Sequence, residues 1–164
     1  MFTGDRTCFA EWVRLHQPFL YRAAWALSGE RGAAQDLVQE TFALAWRARK
    51  QLREGVAVQA WLYQILRREA MRVWRERQPW EAWDDAHCDG VAGGFDQVDL
   101  RIDLLKALQA LSPLHREILV PFYLADMNYE QLALAMDIPV GTVMSRLSRA
   151  RSALRQLLEE GEAQ

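Results

Sequence analysis

The chain has 164 residues, 51% of them hydrophobic, and its 20 Lys and Arg against 22 Asp and Glu leave a net charge near zero. That length builds one modest core or two small helical ones, and no apolar run is long enough for a membrane span. Charged residues (Asp5, Arg6, Glu11, Arg14) break up the first stretch, so no signal peptide is expected and a cytoplasmic location follows; Cys8 and Cys88 form no CxxC pair, and with His16 and His87 they match no standard metal-ligand spacing.

Strand signals are nearly absent and apolar residues recur at three- and four-residue spacing, so the fold class is all-α. A first helix is expected from about Thr7 to Leu27, kinked at Pro18 and stopped by Ser28 and Gly29. A second starts near Ala33. It places Val38, Phe42, Ala45 and Trp46 on one stripe and turns Asp36, Gln39 and Glu40 toward solvent. After a loop over 49–58, a third helix from about Gln59 to Arg77 puts Leu62, Ile65, Leu66 and Val73 on its core face. Trp61, Arg68, Arg72 and Arg75 fall along one exposed edge, and an aromatic beside a row of arginines is a nucleic-acid signature.

Residues 78–99 lose this periodicity and gather a proline, three glycines and six acids, which marks a flexible acidic linker. The division expected is therefore two small helical domains, 1–78 and 100–164, joined by residues 79–99. Charge divides the same way: residues 1–78 carry 13 Lys and Arg against 8 acids.

Beyond the linker, one helix is expected from about Leu100 to Ala110, and Ser112-Pro113 opens another reaching about Leu124. Asn128 with Gln131 makes a capping box, so a short helix starts at Tyr129 and ends near Met136. Asp137-Ile138-Pro139 is the turn. The last helix, Val140 to about Leu157, lines up Val140, Val143, Leu147, Ala150, Leu154 and Leu157 as its apolar stripe, and Ser145, Arg149 and Ser152 face away from it.

Two helices joined by such a turn, the second basic, make a helix-turn-helix whose second member enters the DNA major groove. Arg149 points where a guanidinium grips a guanine edge, and Ser145 is short enough to let the helix approach. Arg146 suits a phosphate, as do Thr142 and the helix N-terminal amides. Arg151 lies close to the apolar stripe and is expected in an internal salt bridge. A nucleophile paired with a base is absent from the sequence, so neither enzymatic activity nor a cofactor, metal or small-molecule substrate is expected.

The segments DLVQETFALAW (36–46), AWLYQILRREAMRVWRER (60–77) and LSPLHREILVPFYLADMNYEQLALAMDIPVGTVMSRLSRARSAL (111–154) resemble the sigma family of transcription initiation factors. They are most similar to its smallest group, the extracytoplasmic-function (ECF) sigma factors, which keep only the second and fourth conserved regions. The resemblance implies a first domain (sigma region 2) that docks on the β′ clamp helices of core RNA polymerase through Asp36, Gln39 and Glu40. It also implies promoter melting at the minus-ten element by the third helix, with Trp61 as wedge or stacking platform and Arg67, Arg68, Arg72 and Arg75 on the phosphate backbone. A second domain (sigma region 4) would read the minus-thirty-five element with Thr142, Ser145, Arg146, Ser148 and Arg149, and touch the polymerase β flap. An anti-sigma factor, often membrane-anchored, is the regulator the resemblance implies, and the linker acids Asp84, Asp85 and Asp89 would lie near the RNA exit path.

The chain departs from the family pattern at several points. Arg68 and Arg72 stand where asparagine and aspartate are usual, Met144 and Ser148 replace basic or bulkier residues, and Asp137 takes the turn position common to glycine. Trp80 and Trp83 have no assigned counterpart. The competing reading from the residues is a helix-turn-helix regulator that binds duplex DNA alone, with the first domain as sensor or dimeriser.

Overall fold

The apolar periodicity becomes helix over most of residues 3–77 and 100–162, the part of the chain that the computed structural model describes. In chain order these are α1 (Thr3–Ser28), α2 (Arg31–Ala48), α3 (Val58–Arg77), α4 (Leu100–Ala110), α5 (Pro113–Ala125), α6 (Tyr129–Met136) and α7 (Val140–Glu162), with a 3-10 turn at Arg49–Gln51 between α2 and α3. No strand occurs among the described residues. The linker acids, Trp80, Trp83, His87 and Cys88 lie outside them.

Local chemistry sets the corners. Gly29 adopts the left-handed backbone (φ 76°) between α1 and α2, and the Ser28 hydroxyl donates to the Glu30 carbonyl at 3.1 Å. Ser112 caps α5 by accepting from the His115 amide, and Pro113 takes the first helical position, where its missing N–H costs nothing. The capping box forms as expected: the Gln131 amide donates to Asn128 at 2.8 Å and the Asn128 amide to Gln131 at 3.0 Å. Asp137 closes α6 in the left-handed region (φ 55°). The last helix runs on past the expected Leu157 to Glu162, through Glu159 and Glu160, which are good helix formers.

The apolar stripes sit a little off the expected faces. In α2 the buried line is Ala34, Leu37, Val38, Thr41 and Ala45, with Phe42 and Trp46 only partly covered. Thr41 is tolerated there because its hydroxyl donates to the Leu37 carbonyl at 2.7 Å. In α3, Leu62 and Leu66 are buried with Ala60, Tyr63, Ala70 and Met71, while Ile65 and Val73 are partly buried. In α7, Val143, Leu147, Ala150 and Leu154 form the core edge, whereas Val140 is 40% exposed.

Helices α1–α3 form one lobe and α4–α7 a second, and the two are docked. Helix α1 packs on α4 and α5, and α3 packs on α6. One buried cluster runs from Phe19, Leu20, Tyr63 and Leu66 into Ile118, Leu119 and Leu132. Polar ties accompany it: Gln109 donates to the Trp25 carbonyl at 3.3 Å, and Arg116 donates to the carbonyls of Leu27, Gln109 and Leu111 at 3.1, 2.6 and 2.7 Å. Pro121 lies inside α5 and has no N–H for the carbonyl four residues back, that of Glu117. The Tyr63 hydroxyl, from the other lobe, fills the gap at 2.7 Å.

Candidate nucleic-acid and partner interfaces

Helix α7 is held by its apolar edge against α5 and α6, which turns Gly141, Met144, Ser145, Ser148, Arg149 and Ser152 to solvent. The short side chains fold back onto their own helix: Ser145 Oγ donates to Thr142 O at 3.1 Å and Ser152 Oγ to Ser148 O at 3.1 Å. The face is therefore low, and Met144, 54% exposed, stands above it. Arg149 Nε leans on the Ser145 carbonyl at 3.5 Å. Thr142 is partly buried and its amide already donates to Pro139 O at 3.0 Å, so it is less open to an anion than the sequence suggests. Arg146 turns inward, 3.7 Å from a Glu117 oxygen. Arg151 is exposed, and its guanidinium lies over the Phe122 ring at 4.5 Å in place of the internal salt bridge that was expected.

On α3 the row of arginines is already engaged. Arg67 is mostly covered: its guanidinium donates to Glu117 Oε2, to the Ala135 carbonyl and to the Met136 carbonyl, each at 3.3 Å. Arg68 lies 3.6 Å from Asp137 in the helix-turn-helix turn. Arg72 pairs at 2.8 Å with both Glu69 and Glu76 of its own helix, and the hydrogen bond to Glu69 is the largest cause raising its pKa. Arg75 is exposed. Trp61 does not stand free on this edge. It is partly buried, with Trp12 edge-on at 6.2 Å, beside a cluster in which Phe9 contacts Phe42 and Trp46.

Asp36, Gln39 and Glu40 are exposed on α2. Asp36 and Glu40 line a groove of about 330 Å³ with Leu37 from their own helix and Val73, Trp74 and Arg77 from α3. Acids on the rim of an apolar groove suit a basic, amphipathic helix.

Two residues at the lobe junction were missed by the sequence reading. Glu117 is 3% exposed and sits between Arg67 and Arg146; burial pushes its pKa up, against the pull of these arginines and of Arg75. The signal available was an acid directly followed by the apolar run ILVPF. Gln64, whose side-chain amide donates to the Leu134 carbonyl at 3.0 Å, carried no signal, because an amide on a helix face is ordinary surface.

Comparison with known proteins places both lobes. The family described as Sigma-70 region 2 matches residues 12–79, and Sigma-70, region 4 matches residues 101–154. The ECF RNA polymerase sigma factor SigE of Mycolicibacterium smegmatis is 31% identical over 95% of this chain, which spans 65% of that protein's length. The RNA polymerase sigma-E factor of Streptomyces avermitilis is 30% identical, covering 97% of this chain and 89% of its own. Among solved structures, the sigma factor RpoE bound to the anti-sigma factor NepR of Bartonella quintana is similar with a TM-score of 0.72 and 32% identity, over 92% of this chain and 96% of that one. CnrH, in complex with the cytosolic domain of CnrY, shares the fold at a TM-score of 0.71 and 24% identity, over 94% and 90%. These likenesses overturn the alternative of a regulator with a sensor domain, since the first lobe is matched as Sigma-70 region 2.

Proposed function

The chain belongs to the sigma-70 family as an extracytoplasmic-function sigma factor, and we propose on that premise that it binds core RNA polymerase and directs promoter-specific transcription initiation. Residues 1–78 would serve as region 2, 79–99 as the linker and 100–164 as region 4. Asp36, Gln39 and Glu40 dock on the β′ clamp helices, their acids pairing with polymerase cations. The α3 edge meets the minus-ten element, Arg67, Arg68, Arg72 and Arg75 on phosphates, with Trp61 supporting the melted strand from its aromatic cluster. Region 4 touches the β flap, and its α7 reads the minus-thirty-five element through Ser145, Ser148 and Arg149, while Arg146 and Thr142 hold phosphates.

The observation that carries this reading is the solvent face of α7, where small side chains surround the exposed Arg149 and no acid intervenes between Val140 and Gln156. A helix must be this low and this basic to lie in a major groove. Regulation by an anti-sigma factor is part of the proposal, supported by the similar Bartonella quintana chain being bound by one. No helix among the described residues is long and apolar enough to cross a membrane, in keeping with a cytoplasmic site of action.

In vitro transcription with core polymerase on genomic fragments tests it. Wild type should yield specific starts, Glu40→Arg should lose them through weaker polymerase binding, and Arg149→Ala should relax promoter choice with polymerase binding intact. Duplex binding without polymerase, and no polymerase-dependent start, would sink the proposal.

A further inference from the structure

We infer that Met144 is a specificity-determining residue of α7, whose side chain reads the C5-methyl group of one thymine in the upstream promoter element. The inference rests on the proposed function, which lays α7 in the major groove, and adds an apolar base contact to the polar residues assigned there.

The solvent side of α7 has a floor and two flanks. Val143, Leu147, Ala150 and Leu154 are buried and fix which side of the helix faces out. Helical geometry sets Gly141, Ser145, Ser148 and Ser152 opposite them, all short and all exposed. A Cβ added at Gly141 would meet nothing within 4 Å, so this floor borders open space. Ser145 and Ser152 turn their hydroxyls back onto carbonyls of their own helix at 3.1 Å, which leaves little polar chemistry aimed outward from it. Met144 and Arg149 rise on opposite flanks, about 140° apart around the axis and about 7.5 Å apart along it. Met144 is 54% exposed, and Val140, one turn earlier on the same flank, is 40% exposed.

The chemistry of the side chain selects what it can read. A thioether carries no charge and no N–H or O–H, and its sulfur accepts hydrogen bonds only weakly. It gains nothing from a phosphate and cannot tell guanine from adenine by their polar edges. The group that the major groove offers to an apolar side chain is the thymine C5-methyl, which cytosine lacks. Three rotatable bonds and a polarizable sulfur let methionine settle over that methyl. Arg149, on the other flank, suits a guanine edge, and an axial offset of about 7.5 Å matches about two base-pair steps.

An exposed methionine also suits a protein partner, but its setting on α7 favours DNA. A protein hot spot is a contiguous apolar patch with a polar rim. The next exposed large apolar side chain along α7 is Leu158, about 21 Å farther on, with the exposed Arg151 and Arg155 between. Gly141, Ser145 and Ser148 border Met144 on the floor side. One apolar reader among small residues and arginines fits a base contact set among phosphate contacts.

The test uses holoenzyme assembled from core polymerase and the full chain, on the promoter that transcription of genomic fragments yields. Each thymine of the upstream element, on both strands, is replaced singly by deoxyuridine, which removes the C5-methyl and keeps the base pairing. Competition between promoter fragments gives relative affinities. With wild type, one replacement should weaken binding about fourfold, the factor for one buried methyl-sized group. It should lie within about three base pairs of the guanine to which Arg149→Ala becomes indifferent. Met144→Ala should bind the thymine promoter less well by the same factor and show no penalty for deoxyuridine at that position. The variant does not endanger the helix, since the side chain is exposed and alanine is a stronger helix former. Met144→Leu and Arg149→Ala should both keep the penalty, the first because it stays apolar and the second because it acts on another base pair. Absence of any deoxyuridine penalty in wild type would overturn the inference, as would a penalty that Met144→Ala retains in full. Unchanged affinity of Met144→Ala on every template would overturn it too and leave the methionine to a protein partner. No polymerase-dependent start from wild type would sink the functional reading and this inference together, whereas normal starts without a methyl effect sink the inference alone.

Discussion

Pro121 of α5 and Tyr63 of α3 are complementary: the proline withdraws the amide that would have closed the helix on the Glu117 carbonyl, and the tyrosine hydroxyl supplies the missing donor at 2.7 Å. Tyr63 is fully buried, so its hydroxyl has no water to fall back on, and burial is the first cause raising its pKa well above the usual range. A break in one lobe's helix is thereby repaired by the other lobe.

That relation predicts a coupling. Tyr63→Phe leaves the Glu117 carbonyl buried without a donor and should cost about 1–3 kcal/mol in urea unfolding. Pro121→Ala restores an amide within α5 for the same carbonyl. In that background Tyr63→Phe should cost clearly less, and a double-mutant cycle with no interaction would show the two sites to be independent.

Glu117 gives a pH dependence whose sign follows from its burial. Desolvation raises its pKa despite Arg67, Arg146 and Arg75, so the folded state binds a proton more readily than the unfolded chain. Stability contributed by this group is therefore present below the ordinary carboxylate pKa and is lost as pH rises through the window just above it. Glu117→Gln, neutral and similar in shape, should remove the slope. Thermal unfolding at a series of pH values, wild type against variant, checks this; a difference independent of pH would count against it.

The two ends of α6 make opposite predictions. Asn128→Ala removes the capping box and should cost about 1 kcal/mol. Asp137→Gly relieves a left-handed non-glycine residue, whose strain is on the order of 1 kcal/mol, and loses only an exposed bridge to Arg68. Midpoints of chemical denaturation should therefore fall for the first and hold or rise for the second.

Trp12 and Trp61 should be coupled through their edge-on contact at 6.2 Å. Single replacements by leucine and the double replacement should give an interaction of about 0.5–1.5 kcal/mol. Promoter opening, followed by permanganate reactivity of unpaired thymines, should drop for Trp61→Leu and also for Trp12→Leu, because each holds the other in place. Opening unaffected by Trp12→Leu would mean that Trp61 needs no support.

Legibility of the chain followed the range of the interactions. The bounds of α4 and α6, the capping box and the left-handed Asp137 were readable because each depends on residues within a turn of one another. The exposed acids of α2 and the solvent face of α7 followed from helical geometry alone. The docking of the lobes did not, since Gln64 meets Leu134 and Arg67 meets Ala135 across about seventy positions of sequence, and no periodicity encodes such a pair. Arg67 looked like one more free cation for the same reason, and Trp61 like an exposed platform, because Trp12 comes from another helix.

The buried cluster that runs through both lobes also bears on how long the molecule survives. Parting the lobes uncovers Tyr63, Leu66, Ile118 and Leu132, an adhesive surface suited to proteases and to self-association until polymerase claims the chain. A closed molecule is a sheltered one: while the lobes stay together, these apolar side chains meet neither solvent nor a protease.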